Sequence, residues 1–203
     1  MTVPLTEAFI AKRLHLAYQP NKRAATDGYA EWKSEKRLKN AAVLVPFVWF
    51  ADEWHLVLTR RTEIVEHHKG QVSFPGGAGN SDETTPEETA LREAEEEIGL
   101  KPEDVRLLGR LNDIITVTHY RVTSVAGVMP WPYPLRPEPA EVDRIFTIPL
   151  LWLSDRNNWS EQPFTPEGAP RSFPVVIYHS YDGEVLWGAS ARIVQIFLKV
   201  LKG

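Results

Sequence analysis

The sequence predicts an α+β protein in which helices pack on a mixed β-sheet. Two observations carry that reading. Short runs rich in β-branched and aromatic residues recur between turn signals. Segments of helical period interrupt them without the strict alternation of a parallel α/β fold. The length of 203 residues fits one domain of generous size, or one domain with an added terminal segment.

The elements follow in chain order. Residues 5–17, with Leu5, Phe9, Ile10, Leu14 and Leu16, suggest an amphipathic helix. Residues 18–39 are polar and basic and carry Pro20 and Gly28, so they read as an irregular lead-in. Residues 1–40 are therefore expected to be an N-terminal helix and lead-in, and 41–203 the main domain. Residues 41–50 and 55–59 read as two strands joined by a turn at Ala51, Asp52 and Glu53. A loop with Gly70, Pro75, Gly76, Gly77 and Gly79 follows. The clearest helix comes next: Thr85 suits the N-cap, Pro86 the first helical position, Glu88 a capping box, and Gly99 the stop. Further strands are predicted at 106–111, 121–128, 144–148 and 173–178. The five prolines between 130 and 139 mark a surface loop, and residues 189–200 close the chain as an amphipathic helix.

Composition narrows the function classes. Cysteine is absent, which excludes disulfides, zinc-thiolate sites, iron–sulfur clusters and thiol nucleophiles. The formal net charge of −4 argues against general nucleic-acid binding. No apolar run approaches the roughly 18 residues of a membrane span, and the N-terminus mixes Glu7, Lys12 and Arg13, unlike a signal peptide. A cytoplasmic location without membrane or nucleic-acid partners is expected.

The capped helix carries the chemistry. At about 100° per residue, Glu97 lies about 40° to one side of Glu93 and Glu96 about 60° to the other. Ala90, Leu91, Ala94 and Ile98 fill a separate apolar sector, and Glu95 points toward water. Three carboxylates thus converge beside a face that must be buried. Like charges at this spacing cost roughly 0.2–0.5 kcal/mol per pair, and a divalent cation reverses the sign. Oxygen-only ligands select a hard ion, magnesium first and manganese next. Arg92, four residues before Glu96, is placed to hold that carboxylate. The alternative is a solvated acidic face with no ligand.

Residues 92–100, Arg-Glu-Ala-Glu-Glu-Glu-Ile-Gly-Leu, match every fixed position at the end of the Nudix hydrolase signature, and Gly77 and Glu83 match its start. Eight residues separate Glu83 from Arg92 where the usual pattern has seven, so the loop before the helix is expected to be longer. The resemblance implies an α/β/α sandwich around a mixed sheet, with the signature as loop–helix–loop. Upstream, Leu58-Thr59-Arg60-Arg61-Thr62 and residues 70–77, Gly-Gln-Val-Ser-Phe-Pro-Gly-Gly, resemble the motif of the coenzyme A pyrophosphatases. Two positions depart from it: Thr62 stands for serine or alanine, and Glu66 for arginine.

The resemblance implies magnesium-dependent hydrolysis of the pyrophosphate of coenzyme A or its thioesters to 3′,5′-ADP and 4′-phosphopantetheine. Glu93, Glu96 and Glu97 are the expected metal ligands, with a Gly77 carbonyl able to join them. Substrate phosphates would meet Arg60 or Arg61, Lys69, Gly76 and Gly77; strand alternation admits one of the two arginines. His67 and His68 flank Lys69 as further polar groups. The proton acceptor is Glu96 or, from a later loop, Glu141. Asp113, Thr116, Thr118, His119 and Tyr120 are candidates for the substrate loop. Two rivals stay open: a Nudix hydrolase of another nucleoside diphosphate derivative such as ADP-ribose, favoured by Glu66, and a non-catalytic nucleotide-binding regulator.

Overall fold

The computed structural model describes residues 5–20, 38–63, 70–166 and 168–203. In chain order they form α1 (Glu7–Ala17), β1 (Lys39–Phe50), β2 (Glu53–Arg61), β3 (Val72–Ser73), β4 (Gly76–Ala78), α2 (Pro86–Ile98), β5 (Arg106–Arg110), β6 (Ile114–Ile115), β7 (Tyr120–Val128), β8 (Val142–Pro149), α3 (Leu150–Ser154), β9 (Trp159–Phe164), β10 (Phe173–Tyr178) and α4 (Gly188–Lys202). Of the residues 18–39 expected as lead-in, 21–37 lie outside this description, as do Glu66, His67, His68 and Lys69.

The sheet is mixed. β1 runs parallel to β7 and antiparallel to β2 and β4. β8 and β3 add to β2, and β5 and β6 to β7, all antiparallel. Alternation along β1 sends its side chains to two cores. Ala42, Leu44 and Val48 face α2, where Ala90, Ala94 and Ile98 are fully buried. Val45 and Phe47 face the other layer, where Ile10 and Leu14 of α1 and Val194 and Phe197 of α4 close over the sheet. The result is the helix–sheet–helix layering expected, and α1 is part of its core. Among the described residues no helix is long and apolar enough to cross a membrane.

Helix α2 has the predicted ends. The Thr85 hydroxyl accepts from the Glu88 N–H at 3.3 Å, and the Glu88 carboxylate accepts from the Thr85 N–H at 3.2 Å. Gly99 adopts φ 67°, the left-handed conformation that favours glycine. The Pro-rich loop differs from the expected surface loop. Trp131, Tyr133 and Leu135 pack against the α2 core. The Arg136 and Glu138 N–H groups donate to the carbonyls of Ile98 and Glu97, both at 2.9 Å. The loop thereby satisfies acceptors that a helix end leaves open.

Two local readings change. The β1–β2 hairpin turns on Ala51 and Asp52, both at positive φ (50° and 62°), so Glu53 already belongs to β2. Strand β9 is the partner of β10 in a separate two-stranded ribbon. Its sequence, Trp-Ser-Glu-Gln-Pro-Phe, is mostly exposed and contains a proline, so it carries little strand signal.

Candidate active site

The end of β2 sorts the two arginines. Arg61 projects toward α2, its Nη1 donating to Glu97 Oε1 at 3.3 Å, and its Nη2 lies 3.7 Å from Glu141 Oε2. Arg60 projects to the opposite side. There it pairs with Asp143 at 2.6 Å, Glu63 at 3.1 Å and Glu184 at 3.6 Å. Arg144 joins this outer ion cluster through Asp182 and Glu184. The structure therefore does not bring Arg60 to the acidic helix; its charge is spent on tying β2 and β8 to the turn at 181–184.

On α2, Glu97 is only 3% exposed, and its Oε2 is buried without a hydrogen-bond partner. Burial pushes its carboxyl up to about 8. Arg61 and the Gly76 N–H pull the other way, while Glu93 and Glu141 push further up. Burial also raises the pKa of Glu93, against the opposing pull of Arg92. The Glu93 carboxylate lies against the glycine strand: a Cβ on Gly77 would stand 2.5 Å from its Oε2. A Cβ on Gly76 would stand 2.4 Å from the Ala42 carbonyl oxygen. Both positions need the close approach that only glycine permits.

Arg92 organises the rim. Its Nε donates to Glu83 at 2.5 Å, its Nη1 to Glu96 at 2.7 Å and its Nη2 to the Ala78 carbonyl at 3.1 Å, with Glu93 2.8 Å away. Glu83 also accepts from the Asn80 N–H and the Thr89 hydroxyl, both at 2.7 Å, and the Arg92 bond leads in pulling its carboxyl down to about 2. The loop with the extra residue is thus strapped to the helix through Glu83. Its side-chain role was not visible in the sequence, since the spacing to Arg92 departs from the pattern there.

Glu141 is held at the mouth. Its carbonyl accepts from the Thr62 N–H at 2.9 Å, its own N–H donates to Glu138, and the Thr62 hydroxyl donates to the Ala140 carbonyl at 3.1 Å. Backbone bonds thus tie the end of β2 to the approach to β8.

A cavity of about 1140 Å³ opens beside these groups, slightly larger than most ligand sites. Glu93, Glu97, Glu141 and Arg61 line one end, with Gly76 and Gly77. The floor is Lys39, Ala41 and Val43 of β1. The far side carries Thr116, Thr118, His119 and Tyr120, and the first turn of α4 with Trp187 and Arg192. The wall from β10 and α4 had no signal in the sequence, because it depends on a ribbon folding back across the sheet. Asp113 is not in this lining; it accepts from the Thr123 hydroxyl at 2.7 Å.

Of the three carboxylates expected to converge, the structure brings Glu93 and Glu97 to the cavity with Glu141. Glu96 is turned outward, 59% exposed, in its ion pair with Arg92. The helical wheel gives a direction but not a depth, and Arg92 draws this side chain to the rim. Among the described residues no three acidic or imidazole groups stand close enough to form a ready-made metal cage. The site still fits a hard cation. Glu97 offers a buried oxygen with no partner, and its neighbours Glu93 and Glu141 disfavour its charge, a cost that a divalent ion would offset.

An α/β/α sandwich with a desolvated carboxylate pair, an arginine and a glycine strand at the mouth of a large cleft defines a hydrolase of the phosphoanhydride class. The chain belongs to the Nudix family: the family model for the NUDIX domain matches residues 38–168. It is 33% identical over 157 residues to the Nudix hydrolase NudL of Photorhabdus laumondii, covering 77% of this chain and 82% of that protein. It is 34% identical over 158 residues to NudL of Yersinia pestis, covering 77% of each. A MutT/nudix family protein from Enterococcus faecalis shares the fold at TM-score 0.53 and 15% identity, over the whole of this chain and 76% of that one. The protein is accordingly a Nudix hydrolase, a family whose members generally use divalent metal ions.

Proposed function

We propose that the protein hydrolyses the pyrophosphate of coenzyme A or its thioesters, with magnesium, or manganese in its place, as the cofactor. The observation that carries this reading is the arrangement of the upstream motif. Residues 58–62 end β2 and deliver Arg61, while residues 70–77 deliver Gly76 and Gly77, all to the edge of the buried acids. The cavity beyond is large enough for a substrate of coenzyme A size.

In this reading Glu97 and Glu93 would hold the metal, which when bound neutralises phosphate charge and acidifies water. The Gly77 strand lets the substrate anhydride approach the two carboxylates closely. Arg61 suits a phosphate oxygen because its planar fork donates two bonds at once. Glu141 serves as proton acceptor: it lines the cavity, whereas Glu96 is engaged at the rim. Water loses its proton to Glu141 and forms the new P–O bond as the anhydride P–O bond breaks. The products are 3′,5′-ADP and 4′-phosphopantetheine, or its acylated form.

The test is a panel of coenzyme A, ADP-ribose and NADH incubated with the protein and magnesium, with products resolved by chromatography. Release of 3′,5′-ADP at the highest kcat/KM of the panel is expected. A clear preference for ADP-ribose would overturn the substrate assignment, and tight binding without turnover would revive a regulatory role.

A further inference from the structure

Coenzyme A differs from other ADP-containing pyrophosphates in carrying a third phosphate, on the ribose 3′ position. A site for it needs a cation apart from the one at the anhydride. Arg61 is committed to the acidic end through Glu97 and Glu141. Arg60 is outside the cavity. Arg192 also lines the cavity, half-buried near the start of α4.

Lys39 is placed differently. It opens β1 and is exposed at the cavity floor. It forms no salt bridge within 4.0 Å with any described residue. The parallel pairing of β1 and β7 sets it directly beside Tyr120, its N–H donating to the His119 carbonyl at 3.0 Å. Its Nζ lies 6.0 Å from the centre of the Tyr120 ring, which itself lines the cavity. Lys39 is three residues, roughly 10 Å along the strand, from Ala42, the partner of Gly77 in the β1–β4 ladder. The 3′-phosphate and the pyrophosphate of coenzyme A are held one ribose apart, a separation of the same order.

We propose that Lys39, seated at the Tyr120 ring, anchors the substrate's ribose 3′-phosphate and so selects 3′-phosphorylated ADP derivatives over their dephosphorylated counterparts. The proposal rests on the coenzyme A reading above and names the group that would enforce it. A flexible ammonium suits this task, because Lys39 is exposed and a phosphate monoester held there keeps part of its water.

The experiment compares kcat/KM for coenzyme A and dephospho-coenzyme A, with ADP-ribose alongside, for the wild-type protein, Lys39→Ala and Lys39→Arg in magnesium buffer. The wild type is expected to favour coenzyme A about tenfold to a hundredfold, the range for a hydrogen bond between charged groups. Lys39→Ala should collapse that ratio toward one, and Lys39→Arg should restore most of it. The wild-type preference should also weaken as ionic strength rises. A wild-type ratio near one, or an equal loss on both substrates in Lys39→Ala, overturns the anchor while leaving coenzyme A hydrolysis in place. Turnover of ADP-ribose with neither coenzyme A form cleaved overturns the substrate reading, and the anchor with it.

Discussion

Glu97 is a carboxylate placed where water cannot keep it charged, and this has a signature in stability. Its folded-state pKa of about 8 exceeds the ordinary value of 4.5. Below pH 4.5 the group is protonated in both the folded and unfolded states. Between 4.5 and 8 the folded chain holds a proton that the unfolded chain has released, so stability falls as pH rises through that window. In chelator, the melting temperature of the wild type is expected to drop between pH 5 and pH 8.5. Glu97→Gln removes the titration, so it should melt above wild type at pH 8.5 while losing nearly all turnover. Magnesium should raise the melting temperature of the wild type more at pH 8 than at pH 5.5, because the cation binds the ionised form. A variant that keeps the wild-type pH slope, or near-normal activity, would remove Glu97 from this role. The residue scale is also where the sequence was most partly legible. Strand alternation showed that one of Arg60 and Arg61 would face the site but could not say which. The wheel placed Glu95 toward water, where it is exposed, and the four-residue spacing anticipated the Arg92–Glu96 pair, but neither showed that this pair would sit at the rim and keep Glu96 out of the cavity.

Helix α2 is the element most fully legible, because its signals are local. Thr85, Pro86, Glu88 and Gly99 each act within a turn of the helix end, so spacing alone fixes where it begins and stops. The helix is also joined to its surroundings at both ends. Glu83 straps the preceding loop to Arg92, and the Pro-rich loop donates to its last carbonyls before reaching Glu141. Those links are long-range or depend on loop conformation, so spacing does not reveal them. The cap can be tested separately from the chemistry, since Thr85 does not line the cavity. Thr85→Ala is expected to cost about 1 kcal/mol of stability, or roughly 2–4 °C in melting temperature for a chain of this length. Its kcat should match the wild type at 25 °C. A loss of activity at a temperature where the variant is fully folded would mean that the cap positions the carboxylates as well as ending the helix.

At the scale of the whole molecule, the segments outside residues 38–168 do more than flank the family domain. Helix α1 and helix α4 pack on one face of the sheet and close the core there beside the cavity. They are also bound to each other and to the strands: the Arg13 Nε donates to the Val200 carbonyl at 2.8 Å, and the Trp54 indole N–H donates to the Leu5 carbonyl at 2.6 Å. The same C-terminal segment walls the cavity through Phe173, Trp187 and Ile193. Amphipathic period made α1 and α4 visible as helices, but nothing local could show that both share one core or that the ribbon before α4 closes the cleft. Phe197 isolates the packing role. It is fully buried, with its ring centroid 4.8 Å from that of Phe47 at the centre of the sheet, and it does not line the cavity. Phe197→Ala removes a large side chain from a dense core and is expected to cost about 3–5 kcal/mol, or roughly 6–20 °C in melting temperature. Denaturant or thermal unfolding checks the magnitude, and a single cooperative transition is expected, since α4 and the sheet share one core. A cost below about 1 kcal/mol, or a separate early transition for the C-terminal helix, would show α4 to be an appendage. The cavity wall it builds would then be mobile on its own.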